Sequence, residues 1–150
     1  MNKIHVALNT NKFDESVAFY RSFFGSEPVK LKPGYAKFDL EEPGLNFTLN
    51  QSKEAPRDPG ALNHLGIQVG SPQDVADATK RLSEAGFETL EENDTICCYA
   101  LQDKVWVSDP NGYRWEVFVV KEDNVTDASD PAVQAAKKTE EPCCEPTCCS

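Results

Sequence analysis

At 150 residues the chain is long enough for one domain with a full core, or for two small units that share one, and too short for two independent cores. Hydrophobic residues at 39%, aromatic at 9% and charged at 27% are the proportions of a globular chain and exclude disorder throughout. With 15 basic against 25 acidic residues the net charge is -10, a field that repels phosphate backbones and offers anionic membranes nothing, so neither nucleic acid nor a membrane is an expected partner.

Residues 4–8 have the pattern of a short strand, and residues 14–24 follow with helical spacing. Phe13, Val17, Tyr20 and Phe24 fall on one stripe, Phe19 and Phe23 widen it, and Gly25 stops it. Strand-like segments come at 29–32, 35–40 and 45–50, punctuated by Pro33-Gly34 and Pro43-Gly44, which completes a βαβββ unit.

Pro56, Pro59 and Gly60 among charged residues give 51–60 the composition of a linker, and then the pattern restarts. Residues 64–69 read as a strand. Ser71 caps a helix with Pro72 at its first position and Asp74 three residues on, and Val75, Ala78, Leu82 and Ala85 form its buried stripe before Gly86. Strand-like pieces follow at 87–90, 99–101, 105–108 and 113–119, with Asp109-Pro110-Asn111-Gly112 as a hairpin turn. The repeat is in register: residues 4–8 answer residues 63–67 at an offset of 59, and the helix-ending glycines Gly25 and Gly86 lie 61 apart. Neither unit can bury its own sheet. The expected fold is therefore α+β, with two βαβββ modules, about residues 1–58 and 60–120, forming one curved mixed sheet with helices outside and a pocket in its concave interior.

Beyond Val125 the strand pattern is lost, and residues 121–150 are expected to be a flexible, acidic, Cys-rich tail. It holds 3 basic and 7 acidic side chains, which leaves 12 against 18 for the acidic body. No apolar run approaches a membrane span, and the first residues lead into a strand pattern instead of a signal-peptide core, so a cytoplasmic protein is expected. The six cysteines occur as adjacent pairs, Cys97-Cys98, Cys143-Cys144 and Cys148-Cys149. Neighbouring cysteines cannot staple distant parts of a fold, and their strained ring argues against pairing with each other, so capture of a soft, thiol-seeking ion or molecule fits them better.

The chain has two histidines, and the repeat places His5 and His64 at equivalent positions in the first strand of each half. A lone strand histidine is most often a satisfied core residue. A pair related by a pseudo-twofold axis would approach across it and suit a transition metal. Glu116 supplies a third ligand as the one acid among apolar neighbours in the last strand, although simple alternation could turn it to solvent with Trp115, Val117 and Val119 inside. The matching strand of the first half, around Phe47, offers no carboxylate or imidazole. Two histidines and one carboxylate leave open positions on an octahedral metal, as in non-haem Fe(II) sites that bind substrate and dioxygen together.

The doubled βαβββ pattern, the paired histidines and segment 107–116 (Val-Ser-Asp-Pro-Asn-Gly-Tyr-Arg-Trp-Glu) resemble the vicinal oxygen chelate superfamily of glyoxalases, extradiol dioxygenases and bleomycin-resistance proteins over residues 1–120. Within it, His5 near the start, residues 63–69 (Asn-His-Leu-Gly-Ile-Gln-Val), Cys97-Cys98 and the Cys-rich end are similar to the carbon–arsenic lyases, kin of cadmium-induced proteins. The resemblance implies an Fe(II)-dependent dioxygenase, with iron on His5, His64 and Glu116 and dioxygen as co-substrate. It would cleave the carbon–arsenic bond of trivalent organoarsenicals such as methylarsonous acid or reduced aromatic arsenicals, yielding arsenite.

Residue chemistry points the same way, because organic As(III) has two exchangeable positions and two soft thiolates, Cys97 and Cys98, satisfy them. The interrupted pattern of residues 94–99 suggests that these thiols ride on a mobile loop, with Lys104 or Arg114 as candidates to lower a thiol pKa. Cys143, Cys144, Cys148 and Cys149 are expected to be accessory thiols. A glyoxalase-type isomerase would need a fourth ligand from the first half, and a non-catalytic cadmium or arsenical sequestering protein would not need the triad. A monomer or a homodimer is compatible with two modules in one chain.

Overall fold

The computed structural model describes residues 2–57, 60–97 and 100–122, Cys97 by its backbone alone. The expectations for Cys98, Cys143, Cys144, Cys148 and Cys149 lie outside the described residues. In chain order the elements are β1 (Ile4–Thr10), α1 (Phe13–Phe24), β2 (Lys30–Lys32), β3 (Tyr35–Leu40) and β4 (Leu45–Gln51), then β5 (Leu65–Gln68), α2 (Pro72–Glu84), β6 (Thr89–Cys97), β7 (Ala100–Ser108) and β8 (Arg114–Glu122). Each half is βαβββ.

The strand orders are β1-β4-β3-β2 and β5-β8-β7-β6, with β1 parallel to β4 and β5 parallel to β8, so both modules share one topology. They form two four-stranded mixed sheets, one per module, where one continuous sheet was expected. Side-chain packing joins them instead. Tyr20 and Phe23 of α1, Phe47 of β4 and Trp115 of β8 belong to one buried cluster, with the Trp115 ring 4.9 Å from Phe23 and 6.1 Å from Phe47. Trp115 Nε1 donates to the Tyr20 hydroxyl at 3.1 Å, and that hydroxyl donates to Asp109 Oδ2 at 2.7 Å. Arg81 of α2 donates to the carbonyls of Ser22 and Phe23 at 2.8 and 3.0 Å, placing its charge on the negative end of the α1 dipole.

Local signals hold. The Ser71 hydroxyl accepts from the Asp74 amide and donates to its carboxylate, closing the expected cap. Gly25 adopts φ 61° at the end of α1, a conformation that favours glycine. Val75, Ala78 and Leu82 are buried as expected, but Ala85 is exposed because α2 ends at Glu84. No helix among the described residues is long and apolar enough to cross a membrane.

The larger correction concerns the β6–β7 hairpin. The pieces expected at 99–101 and 105–108 are one strand, β7, and residues 94–97, expected on a loop, belong to β6. The polar run Gln102-Asp103-Lys104 looks like a break in sequence, yet all three are buried. Asp103 is held by Lys121 at 3.0 Å, and Lys104 by Glu116 at 3.1 Å. β6 passes its own acidic stretch through an irregularity between Glu92 and Thr95, where Asp94 takes φ 52° and its amide donates to Asp103 Oδ1 at 2.8 Å.

Asp109 opens the expected hairpin turn and also accepts the Asn111 and Tyr113 amides through Oδ1. Burial raises its pKa, outweighing the lowering effects of the Tyr20 hydroxyl and the turn amides. Burial and the Asp109 charge push the Tyr20 phenol well above its ordinary range. A carboxylate whose folded pKa is raised contributes stability that is fully present below its unfolded pKa and is lost as pH rises through the folded value. Asp109→Asn should remove that slope. The difference in unfolding free energy, wild type minus variant, is expected to fall as pH rises through the carboxylate range in urea titrations, and a rising difference would contradict the assignment.

Candidate metal centre

The parallel pair β5–β8 brings Gly66 opposite Glu116, and His64 stands just before β5. A Cβ on Gly66 would lie 3.0 Å from Glu116 Cγ and 3.2 Å from its Oε1, so the missing side chain makes room for the carboxylate. Alternation does send Trp115, Val117 and Val119 into the core and Glu116 to the opposite face. That face is not open solvent, for Glu116 is only 8% exposed. Its Oε1 lies 3.4 Å from His64 Nε2, and its Oε2 accepts from Lys104 Nζ at 3.1 Å. Trp106, in register with Glu116, meets the His64 ring edge-on at 5.0 Å, with the Arg114 guanidinium 4.3 Å over the indole.

Hydrogen bonding fixes the histidine tautomers. His64 Nδ1 is 2.5 Å from Asn63 Oδ1, and His5 Nδ1 is 3.0 Å from the Asn46 carbonyl oxygen. Amide oxygens only accept, so each neutral ring carries its proton on Nδ1 and keeps a lone pair on Nε2. His64 Nε2 and Glu116 Oε1 are then two electron-pair donors face to face, an arrangement satisfied by a shared proton or a metal cation. Imidazole nitrogen and carboxylate oxygen held by outer hydrogen bonds are the donor set of a divalent transition metal, so the residues fit one.

His5 is exposed on β1, opposite Asn46. Among the described residues no three His, Cys, Asp or Glu side chains form a group that could hold a metal, so the structure brings His64 and Glu116 together and leaves His5 apart. Cys97 ends β6 in register with Ala100. In the repeat the pair Ala7–Thr48 corresponds to Gly66–Glu116, so the buried Thr48 occupies the first-half position equivalent to Glu116 and offers no carboxylate there. Sequence reasoning had narrowed this only to the neighbourhood of Phe47. It also missed Lys104 and Trp106 as neighbours of Glu116, although their spacing of two places both on one face of a strand. Two surface grooves, one beside Lys12 and Gln51 and one between Phe24, Glu42 and Arg81, include none of these residues.

The Gly66–Glu116 contact can be tested directly. Gly66→Ala is expected to displace the carboxylate and weaken Mn(II) binding about 10–100-fold, the range for a disturbed outer contact. Unchanged affinity would show that the close approach does not set the Glu116 position.

The model of the Glyoxalase/Bleomycin resistance protein/Dioxygenase superfamily matches residues 4–117, a span containing all the elements up to the start of β8, both histidines and Glu116. The chain is 45% identical over 154 residues to the trivalent organoarsenical cleaving enzyme of Bacillus sp. (strain MD1), covering 100% of this chain and 94% of that one. It is 45% identical over 131 residues to the cadmium-induced protein CadI of Mycobacterium tuberculosis (strain ATCC 25618 / H37Rv), covering 87% and 84%. A glyoxalase/bleomycin resistance protein/dioxygenase from Alicyclobacillus acidocaldarius matches with a TM-score of 0.64 at 16% identity, over 84% of this chain and 96% of that one, a likeness of fold. The chain therefore belongs to the glyoxalase, bleomycin resistance protein and dioxygenase superfamily, the vicinal oxygen chelate proteins.

Proposed function

We propose that this chain is an enzyme, a non-haem Fe(II) dioxygenase that cleaves the carbon–arsenic bond of trivalent organoarsenicals, methylarsonous acid or reduced aromatic arsenicals, and releases arsenite. The observation that carries the reading is the pair of unshared donors, His64 Nε2 and Glu116 Oε1, 3.4 Å apart. Likeness along the whole chain to a protein named for cleaving trivalent organoarsenicals supports the substrate class.

In this reading His64 and Glu116 would hold the metal, with His5, which the structure leaves apart from that pair, completing the set, and the metal would supply activation of dioxygen, the co-substrate. Asn63 and the Asn46 carbonyl orient the two imidazoles so that Nε2 faces outward from each hydrogen bond. Lys104 offsets part of the charge of the largely buried Glu116. Cys97 and Cys98 hold As(III) through two thiolates, and Cys143, Cys144, Cys148 and Cys149 gather the arsenical as accessory thiols. Fe(II) and free thiols both belong to a reducing compartment, which favours the cytoplasm for a protein working as a monomer or homodimer.

The test is to load the full-length protein with Fe(II) anaerobically, add trivalent methylarsenical, and follow arsenite before and after admitting dioxygen. Release only with dioxygen is expected. Stoichiometric uptake without arsenite would make the protein a sequestering one, and oxygen-independent turnover of a hemithioacetal would make it a glyoxalase-type isomerase; either overturns the reading.

A further inference from the structure

We infer that Lys104 is a positioning residue that holds Oε2 of Glu116 back from the metal, leaving Oε1 as the single oxygen offered and tempering the affinity of the site. The inference rests on the metal reading of the His64–Glu116 pair and concerns a residue that coordinates nothing itself.

Glu116 is divided between two partners. Oε1 faces His64 Nε2 at 3.4 Å, while Oε2 accepts from Lys104 Nζ at 3.1 Å. The carboxylate lies against the Gly66 backbone with the Phe118 ring close by, since a Cβ at Gly66 would come within 3.0 Å of Glu116 Cγ and 3.4 Å of a Phe118 ring carbon. Lys104 has little room to move. It is 1% exposed, with its Nζ 5.4 Å from the Trp106 ring centroid and 5.9 Å from that of Phe118, so it cannot swing to solvent as a surface lysine would. A divalent ion on the His64 side of the carboxylate must share it with a fixed positive charge on the other side, and at low local dielectric the two cations repel. Such a site binds its metal through one oxygen and less tightly than its donors would allow.

The sign of the effect separates this role from a structural one. Removing a buried lysine that merely supports the fold would weaken metal binding or leave it unchanged. Removing one that holds an oxygen back should strengthen it. The experiment titrates Mn(II) alone, a hard ion with little affinity for the tail thiols, into metal-free full-length wild type and Lys104→Met, reading bound metal by loss of the free-ion electron paramagnetic resonance signal. The variant is expected to bind about 10-fold more tightly or better, and to gain a larger melting-temperature shift on metal addition than wild type. Should the metal-free variant not hold its fold, recovery of the fold in saturating Mn(II) supports the inference, since the freed carboxylate is then satisfied by the metal. Equal or weaker binding, or a variant that stays unfolded in saturating Mn(II), overturns it. A wild type that binds no Mn(II) at this pair would overturn the metal reading as well, which distinguishes the two failures.

Discussion

His64→Ala is expected to abolish metal-dependent turnover, a loss on the order of 10³-fold or more, because a bound metal contributes several kcal/mol of charge stabilisation. The fold should persist. His64 is half-buried before an edge strand, and its ring contact with Trp106 is worth about 0.5–1.5 kcal/mol. Glu116 needs a different substitution. Alanine there would take the counter-charge from a buried Lys104, at about 3–5 kcal/mol, so fold and metal would be lost together and nothing would be separated. Glu116→Gln keeps the volume and an amide oxygen for Lys104 while removing the charge. Metal content after gel filtration, measured beside arsenite release, should fall in both variants with near-native circular dichroism. Wild-type turnover in His64→Ala would end the assignment.

The two modules were legible because their signals are local. Helical stripes, Pro-Gly punctuation and the Ser71 cap all act within a few residues, and the offset between His5 and His64 is visible without coordinates. What joins the modules leaves no such mark: Trp115, Tyr20 and Asp109 meet across separations of 89 and 95 residues, and this packing takes the place of the continuous sheet that was expected. The same holds within β7. Gln102, Asp103 and Lys104 look like a loop until register with β8 supplies Lys121 and Glu116 as partners. Glu116 stood out as an acid among apolar neighbours. Its partner Lys104 did not, because it fell in the stretch read as irregular, and Thr48 could be matched to Glu116 only once the β1–β4 and β5–β8 registers were known.

Cys97→Ser or Cys98→Ser is expected to remove most turnover of trivalent arsenicals, on the order of 10²-fold, while the protein keeps its metal; losses of this size follow when a substrate is no longer held in place. Serine keeps the approximate size of cysteine but presents a hard, protonated oxygen to a soft atom, so one of the two positions on organic As(III) goes unfilled. Metal should be retained because neither cysteine belongs to the donor set proposed for the metal. Arsenic binding alone is a poor measurement, because Cys143, Cys144, Cys148 and Cys149 remain in the full chain and would still take up the arsenical. Turnover at limiting substrate, with metal content determined on the same sample, separates the roles. Pentavalent arsenicals present oxygens, for which thiolates have little affinity, and should be poor substrates of wild type and variants alike. Loss of metal from either serine variant would make that cysteine a ligand, and undiminished cleavage of a trivalent arsenical would remove thiol capture from the mechanism.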